Sequence, residues 1–178
     1  MIMPMDIISV TCFVDGASKG NPGPGGWGAV CIFERSDKVF LIQELGASAA
    51  HTTNNKMELS AVICTLDFLK NLQKMAKLSD FSIMIASDST YVVNGSTQWL
   101  DGWKRKGWRT ASKDPVLNQE LWEQIDGYKE HFGSRLSFSK VKGHAGHEHN
   151  ERADEIAGLY AEGETPTLRD DIHTLIKN

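Results

Sequence analysis

From residue 7 to residue 14 the chain is mostly apolar and β-branched, and the run stops on Asp15, followed by Gly16 and the loop Lys19-Gly20-Asn21-Pro22-Gly23-Pro24-Gly25-Gly26. Such a run reads as a strand buried on both faces, in the middle of a sheet. A carboxylate where that strand ends is costly unless it is paired or holds a metal. The pattern returns at residues 81–87, a second apolar run that stops at Asp88. Before it, Leu59, Val62, Leu66 and Leu69 recur at the spacing of an amphipathic helix of about 20 residues, with Thr52, Thr53 and Asn54 as candidate N-caps. A strand, a helix of that length and another strand form a right-handed crossover between parallel strands. Asp15 and Asp88 then share the edge beyond the carboxyl ends of the strands, where open α/β sheets place their sites.

Residues 27–33 and 39–45 read as two more strands on short connections, so the first three form an antiparallel meander. Residues 89–107 read as short helices. Trp99 and Trp103 share a face there and, with Trp108, are expected to pack a small satellite core. Asp114-Pro115 has the form of an N-cap with proline at the first helical position, which predicts a helix through Leu117, Leu121, Trp122 and Ile125 to about Phe132. A fifth strand is predicted at 135–141, then a histidine-rich loop (142–149), then a helix from about Asn150 with Ala153, Ile156, Ala157 and Tyr160 as its apolar stripe.

A chain of 178 residues, 40% hydrophobic, suits a single domain with a full core. The expected domain is 1–163, with 164–178 a tail that docks or frays through Ile172, Leu175 and Ile176. No apolar stretch approaches the roughly 20 residues that cross a bilayer, and the N-terminus has no basic region before an apolar core, so a soluble cytoplasmic protein is expected. Cys12, Cys31 and Cys64 show no paired spacing and are expected to be reduced core thiols. The net charge of −4 argues against a polyanion partner. It hides a cluster, because residues 99–113 hold Lys104, Arg105, Lys106, Arg109 and Lys113 against Asp101 alone, a local +4 that can dock a phosphate backbone.

Two further acids, Glu58 and Asp154, lie at the margins of the core-facing stripes of their helices. Glu58 alone could simply complement a helix dipole. Together with Asp15 and Asp88, however, they make four carboxylates that cannot stay ionised side by side without cations. Oxygen-only ligands suit Mg²⁺ or Mn²⁺. A pair of such ions roughly 4 Å apart would activate water and stabilise the leaving oxygen of a phosphodiester. A zinc site at His144, His147 and His149 is disfavoured, since neither a cysteine nor a fourth ligand lies near.

Six ordered segments carry a resemblance: Val14-Asp15-Gly16; Gly20-Asn21-Pro22-Gly23-Pro24-Gly25-Gly26; Thr52-Thr53-Asn54-Asn55-Lys56-Met57-Glu58-Leu59; Ser87-Asp88-Ser89; Trp99 with Trp103-Lys104-Arg105-Lys106-Gly107-Trp108; and Lys142-Gly143-His144-Ala145-Gly146-His147 with Asn150-Glu151-Arg152-Ala153-Asp154. Over about residues 7–168 the chain resembles the bacterial type 1 ribonucleases H. The resemblance implies an α/β fold with a five-stranded mixed sheet, strands 4 and 5 parallel to strand 1, flanked by helices. It implies an endonuclease that cuts the RNA strand of RNA–DNA hybrids with Mg²⁺ or Mn²⁺, leaving 3′-hydroxyl and 5′-phosphate ends, and a monomer is expected. Asp15, Glu58, Asp88 and Asp154 match the family's metal-binding carboxylates, and His144 its loop histidine for proton transfer or product release.

By the same matching, Asn21, Asn54 and Asn55 meet the hybrid's minor groove, where amides can bond the 2′-hydroxyls. Thr53 and Asn118 match a pocket for a DNA-strand phosphate. Trp99, Trp103, Lys104, Arg105 and Lys106 match the basic protrusion that grips the DNA strand. Two positions depart: His51 stands where many relatives carry arginine, and Thr90 where glutamine is common. A proofreading-type exonuclease would carry Asp-x-Glu on its first strand, whereas this chain has Asp15-Gly16-Ala17. A non-catalytic hybrid-binding module is the remaining alternative, although binding alone needs no cluster of acids facing phosphate.

Overall fold

The computed structural model describes residues 9–76, 80–143 and 146–176. Its sheet has five strands in the order β3-β2-β1-β4-β5: β1 (Ser9–Ser18), β2 (Gly23–Arg35), β3 (Lys38–Thr52), β4 (Ser82–Ser87) and β5 (Leu136–Lys140). The first three form the expected antiparallel meander, β4 runs parallel to β1, and β5 runs parallel to β4. The helices are α1 (Asn54–Ala76), α2 (Thr90–Asn94), α3 (Leu100–Arg105), α4 (Gln119–Phe132), α5 (Glu148–Ala161) and α6 (Asp171–Ile176). A π-type turn, Gly95–Trp99, joins α2 to α3.

Burial along β1 alternates. Val10, Cys12 and Val14 point into the main core with Leu59, Val62, Leu66 and Leu69 of α1. Burial of one such side chain contributes about 2 kcal/mol. On the opposite face Phe13 is only half-buried, packed with Val30, Ile32, Ala153 and Ile156 under α5. The strand is central as expected, but its two faces are unequally covered, since one 14-residue helix shields the second face. Trp103 and Trp108 pack against this same main core, so the expected satellite core is part of the main one.

Several boundaries differ from expectation. β1 continues past Asp15 to Ser18, and β2 begins at Gly23, because the glycine-rich run is strand rather than loop: Asp15 pairs with Gly28, Ala17 with Gly26 and Ser18 with Gly25. The glycines serve close helix approach, since a Cβ on Gly28 would lie 2.5 Å from the Ala153 carbonyl oxygen of α5. β3 likewise runs on to Thr52. The helix predicted to open at Asp114-Pro115 begins at Gln119. Residues 108–116 fold back on themselves, with Arg109 bridging Pro115 and the Val116 N–H donating to the Trp108 carbonyl at 3.1 Å. Val116 is therefore buried, while Leu117 is 79% exposed.

The tail docks on the edge strand: Asp170 bridges Gln43 and Ile172 is buried in the core, while the side chains of Leu175 and Ile176 lie outside the described residues. Cys12 and Cys31 are buried and Cys64 partly so, all three free. No helix among the described residues is long and apolar enough to cross a membrane.

Candidate active site

Parallel pairing of β1 with β4 ends at Phe13 and Ala86. Asp15 lies two residues beyond that pair on β1, and Asp88 is the first residue after β4, so both stand at the same edge of the sheet. Asp15 is 9% exposed, and one of its oxygens, Oδ1, accepts the Gly16 N–H at 2.7 Å. Burial first, and then the charge of Asp88, push its pKa up to about 8. The Gly16 N–H opposes this, and the charge and hydrogen bond of Asp154 from α5 add to it.

Glu58 comes from the second turn of α1, which lies directly on β1. A Cβ on Gly16 would sit 2.2 Å from the Glu58 nitrogen, so glycine there permits the approach. Thr53 caps the helix, its Oγ1 accepting the Lys56 N–H at 3.3 Å. Glu58 accepts the Asn54 amide at 3.1 Å and the Ser89 hydroxyl at 2.7 Å. Burial and the Asp88 charge hold its pKa above the usual range, against those two hydrogen bonds and the positive charge of Lys140. The structure thus links the four acids in a chain of electrostatic pairs: Asp15 feels Asp88 and Asp154, and Glu58 feels Asp88.

Like charges forced together, one with its pKa near neutrality, are the mark of a site suited to cations. The donors are all oxygen, which fits a hard divalent ion such as Mg²⁺ or Mn²⁺. Among the described residues no three or more His, Cys, Asp or Glu side chains are gathered closely enough to form a preassembled metal-holding group. His144 lies outside the described residues. His149 packs its ring on Phe13 at 5.7 Å, away from any ligand cluster.

The residues matched to substrate contacts fall into two groups. Asn21 and Asn55 are exposed, Asn54 is engaged with Glu58, and the Asn118 amide donates to the Tyr91 hydroxyl at 3.2 Å. Trp99 and Trp103 sit 5.8 Å apart, and Trp103 stacks edge-on to Trp122 at 5.4 Å, an aromatic base that fixes α3. Arg105 and Lys106 are exposed. Lys104 is turned back onto α4, with Nζ 2.6 Å from Asp126 and 3.5 Å from Glu130. The basic cluster is thus partly compensated on the protein itself.

Sequence alone pointed to no role for Ser89, Tyr91 or Lys140. Ser89 lay inside a quoted motif beside Asp88. Tyr91 and Lys140 carry no local signal, since their partners are 27 or more positions away.

Three comparisons bear on this arrangement. The RNase H family model matches residues 8–162. The ribonuclease H of Cyanothece sp. is 43% identical over 157 residues, 88% of this chain and 92% of that protein. That of Bradyrhizobium diazoefficiens is 48% identical over 149 residues, 83% of this chain and 86% of that one. Among solved structures, LC9-RNase H1, described as a type 1 RNase H with the type 2 active-site motif, superposes with a TM-score of 0.76 at 27% identity, covering 98% of this chain and 82% of its own. LC11-RNase H1, solved in complex with an RNA/DNA hybrid, gives 0.62 at 27% identity, covering 87% and 98%. With sequence, sheet order and the linked acids in agreement, the chain belongs to the ribonuclease H family.

Proposed function

We propose that the chain is an endoribonuclease that hydrolyses the RNA strand of RNA–DNA hybrids, with two divalent ions (Mg²⁺, or Mn²⁺ in its place) held by Asp15, Glu58, Asp88 and Asp154. The observation that supports this reading is the electrostatic linkage of acids from β1, α1, the end of β4 and α5, among which Asp15 is pushed up to about 8. Divalent ions bound there supply charge neutralisation of the phosphodiester and a water poised for attack.

The chain's own groups do the rest. Gly16 and Ser89 hold the Asp15 and Glu58 carboxylates in fixed orientations through 2.7 Å hydrogen bonds. Attack on phosphorus with departure of the 3′-oxygen leaves 3′-hydroxyl and 5′-phosphate ends, and His144, by its match to the family's histidine, is assigned to proton transfer or product release. Asn21, Asn54 and Asn55 select the strand that carries 2′-hydroxyls. Thr53 and Asn118 receive a DNA-strand phosphate, and Trp99, Trp103, Lys104, Arg105 and Lys106 grip that strand. The reading extends to a monomer acting in the cytoplasm.

The test is cleavage of end-labelled RNA–DNA hybrid, double-stranded RNA and double-stranded DNA with Mg²⁺, with Mn²⁺ and with chelator. Metal-dependent cutting of the RNA strand of the hybrid alone is expected. A gel shift of intact hybrid without cutting would replace the enzyme with a binding module.

A further inference from the structure

Lys140 closes β5 beside the linked acids. Its ammonium group donates to the Asp88 carbonyl oxygen and, at 3.0 Å, to Thr90 Oγ1. Both acceptors lie on the turn that carries Asp88, so the charge is pinned at the site rather than left to wander in solvent. Thr90, one of the two departures in sequence, provides one of the anchors. Lys140 is the exposed last residue of β5, an edge strand.

From this geometry we infer that Lys140 sets the divalent-ion affinity of the site, as a fixed positive charge that offsets the Glu58–Asp88 side of the carboxylate cluster. The inference rests on the metal reading given above and adds a positioning residue to it. Four carboxylates with no internal cation would hold divalent ions tightly and release them slowly. A monovalent charge held on the turn that carries Asp88 would repel a bound cation and lower its affinity. The Lys140 charge acts on Glu58 in the metal-free protein, which is the same field seen from the ligand's side.

The experiment is calorimetric titration of MnCl₂ into the full chain without nucleic acid, comparing the wild type with Lys140→Met and Lys140→Arg. Methionine keeps the length and removes the charge, and arginine keeps the charge. Lys140→Met is expected to bind Mn²⁺ about three- to tenfold tighter, with Lys140→Arg within about twofold of wild type. The gap should shrink as KCl is raised from about 0.05 to 0.5 M, where screening shortens the reach of the charge. Unchanged or weaker Mn²⁺ binding by Lys140→Met overturns the inference. Weaker binding would make Lys140 a brace for the end of β4, and unchanged binding with loss of hybrid affinity would make it a substrate contact. If the wild type takes up no Mn²⁺, the metal reading falls along with the inference; if both proteins bind equally, only the inference falls.

Discussion

The guanidinium of Arg152 grips both carboxylate oxygens of Glu44, Nε to Oε1 at 2.9 Å and Nη2 to Oε2 at 3.0 Å, across 108 positions of sequence. The Arg169 backbone N–H adds a third bond to Oε2 at 2.9 Å, and Arg152 also donates to the Thr167 carbonyl at 3.1 Å. One carboxylate thereby ties α5, the edge strand β3 and the tail together. Bidentate pairs of this kind, partly withdrawn from water, are among the stronger ionic contacts.

Burial would raise the Glu44 pKa, but the bonds and charges of Arg152 and Arg169 outweigh it and hold the group below its ordinary value. A lowered carboxylate pKa stabilises the fold above the unfolded value, about 4.5, and that contribution is lost as pH falls through the folded value. Glu44→Gln is therefore expected to cost about 1–3 kcal/mol at pH 7 in urea unfolding. The deficit should narrow toward pH 3. A deficit that does not depend on pH would show that the charge is immaterial.

Asp15 has the opposite sign. Its pKa is raised from 3.8 to about 8, so the metal-free fold is favoured below the unfolded value and loses that advantage as pH rises through about 8. In chelator, the melting temperature should fall over this window in the wild type and stay flatter in Asp15→Asn. The same variant should lose cleavage by several orders of magnitude while still shifting hybrid on a gel, because the basic cluster is untouched. Wild-type turnover from Asp15→Asn would refute the assignment.

Arg105 and Lys106 face solvent, whereas Lys104 is paired with Asp126 and Glu130. The double replacement Arg105→Ala with Lys106→Ala is expected to raise the apparent KM several-fold and leave kcat nearly unchanged. The slope of log KM against log salt should become shallower by about one unit for each phosphate that the variant no longer neutralises. Adding Lys104→Ala should raise KM further, by less than either of the other two residues contributes because Asp126 and Glu130 already offset its charge, and should loosen α3 from α4. A KM carried mainly by Lys104 would show that its pairing opens on substrate binding.

Gly16→Ala places a methyl group 2.2 Å from the Glu58 nitrogen and 2.3 Å from the Met57 carbonyl carbon, both backbone atoms that cannot swing aside. The helix must move off β1, at a cost of about 3 kcal/mol. Because Glu58 rides on that turn, activity in the folded fraction should fall as well. Thermal melting and turnover measured on the same sample separate the two effects.

The central strand, the crossover and the shared edge of Asp15 and Asp88 were legible in the sequence, since they follow from apolar runs and helical spacing that are local properties of the chain. The tail's weak pattern left docking and fraying both open, and the structure docks it through Asp170 on Gln43 and the buried Ile172. The glycines at 23–26 read as a loop and are strand; at Gly26 the demand for a missing Cβ comes from the Ala157 carbonyl oxygen of α5, 2.6 Å from where that atom would lie and more than a hundred positions away. Asp114-Pro115 has the form of a helix start, yet the pairing of Arg109 with Pro115 and the burial of Val116 delay the helix to Gln119. The sequence by itself named Asp15, Glu58, Asp88 and Asp154 as candidate ligands for a divalent ion. Only the tertiary structure decided the charge each of them feels: the pKa of Asp15, the compensation of Lys104 and the pinning of Lys140 arise from groups distant in sequence, and Coulomb interactions depend on separation in space, which chain order does not encode.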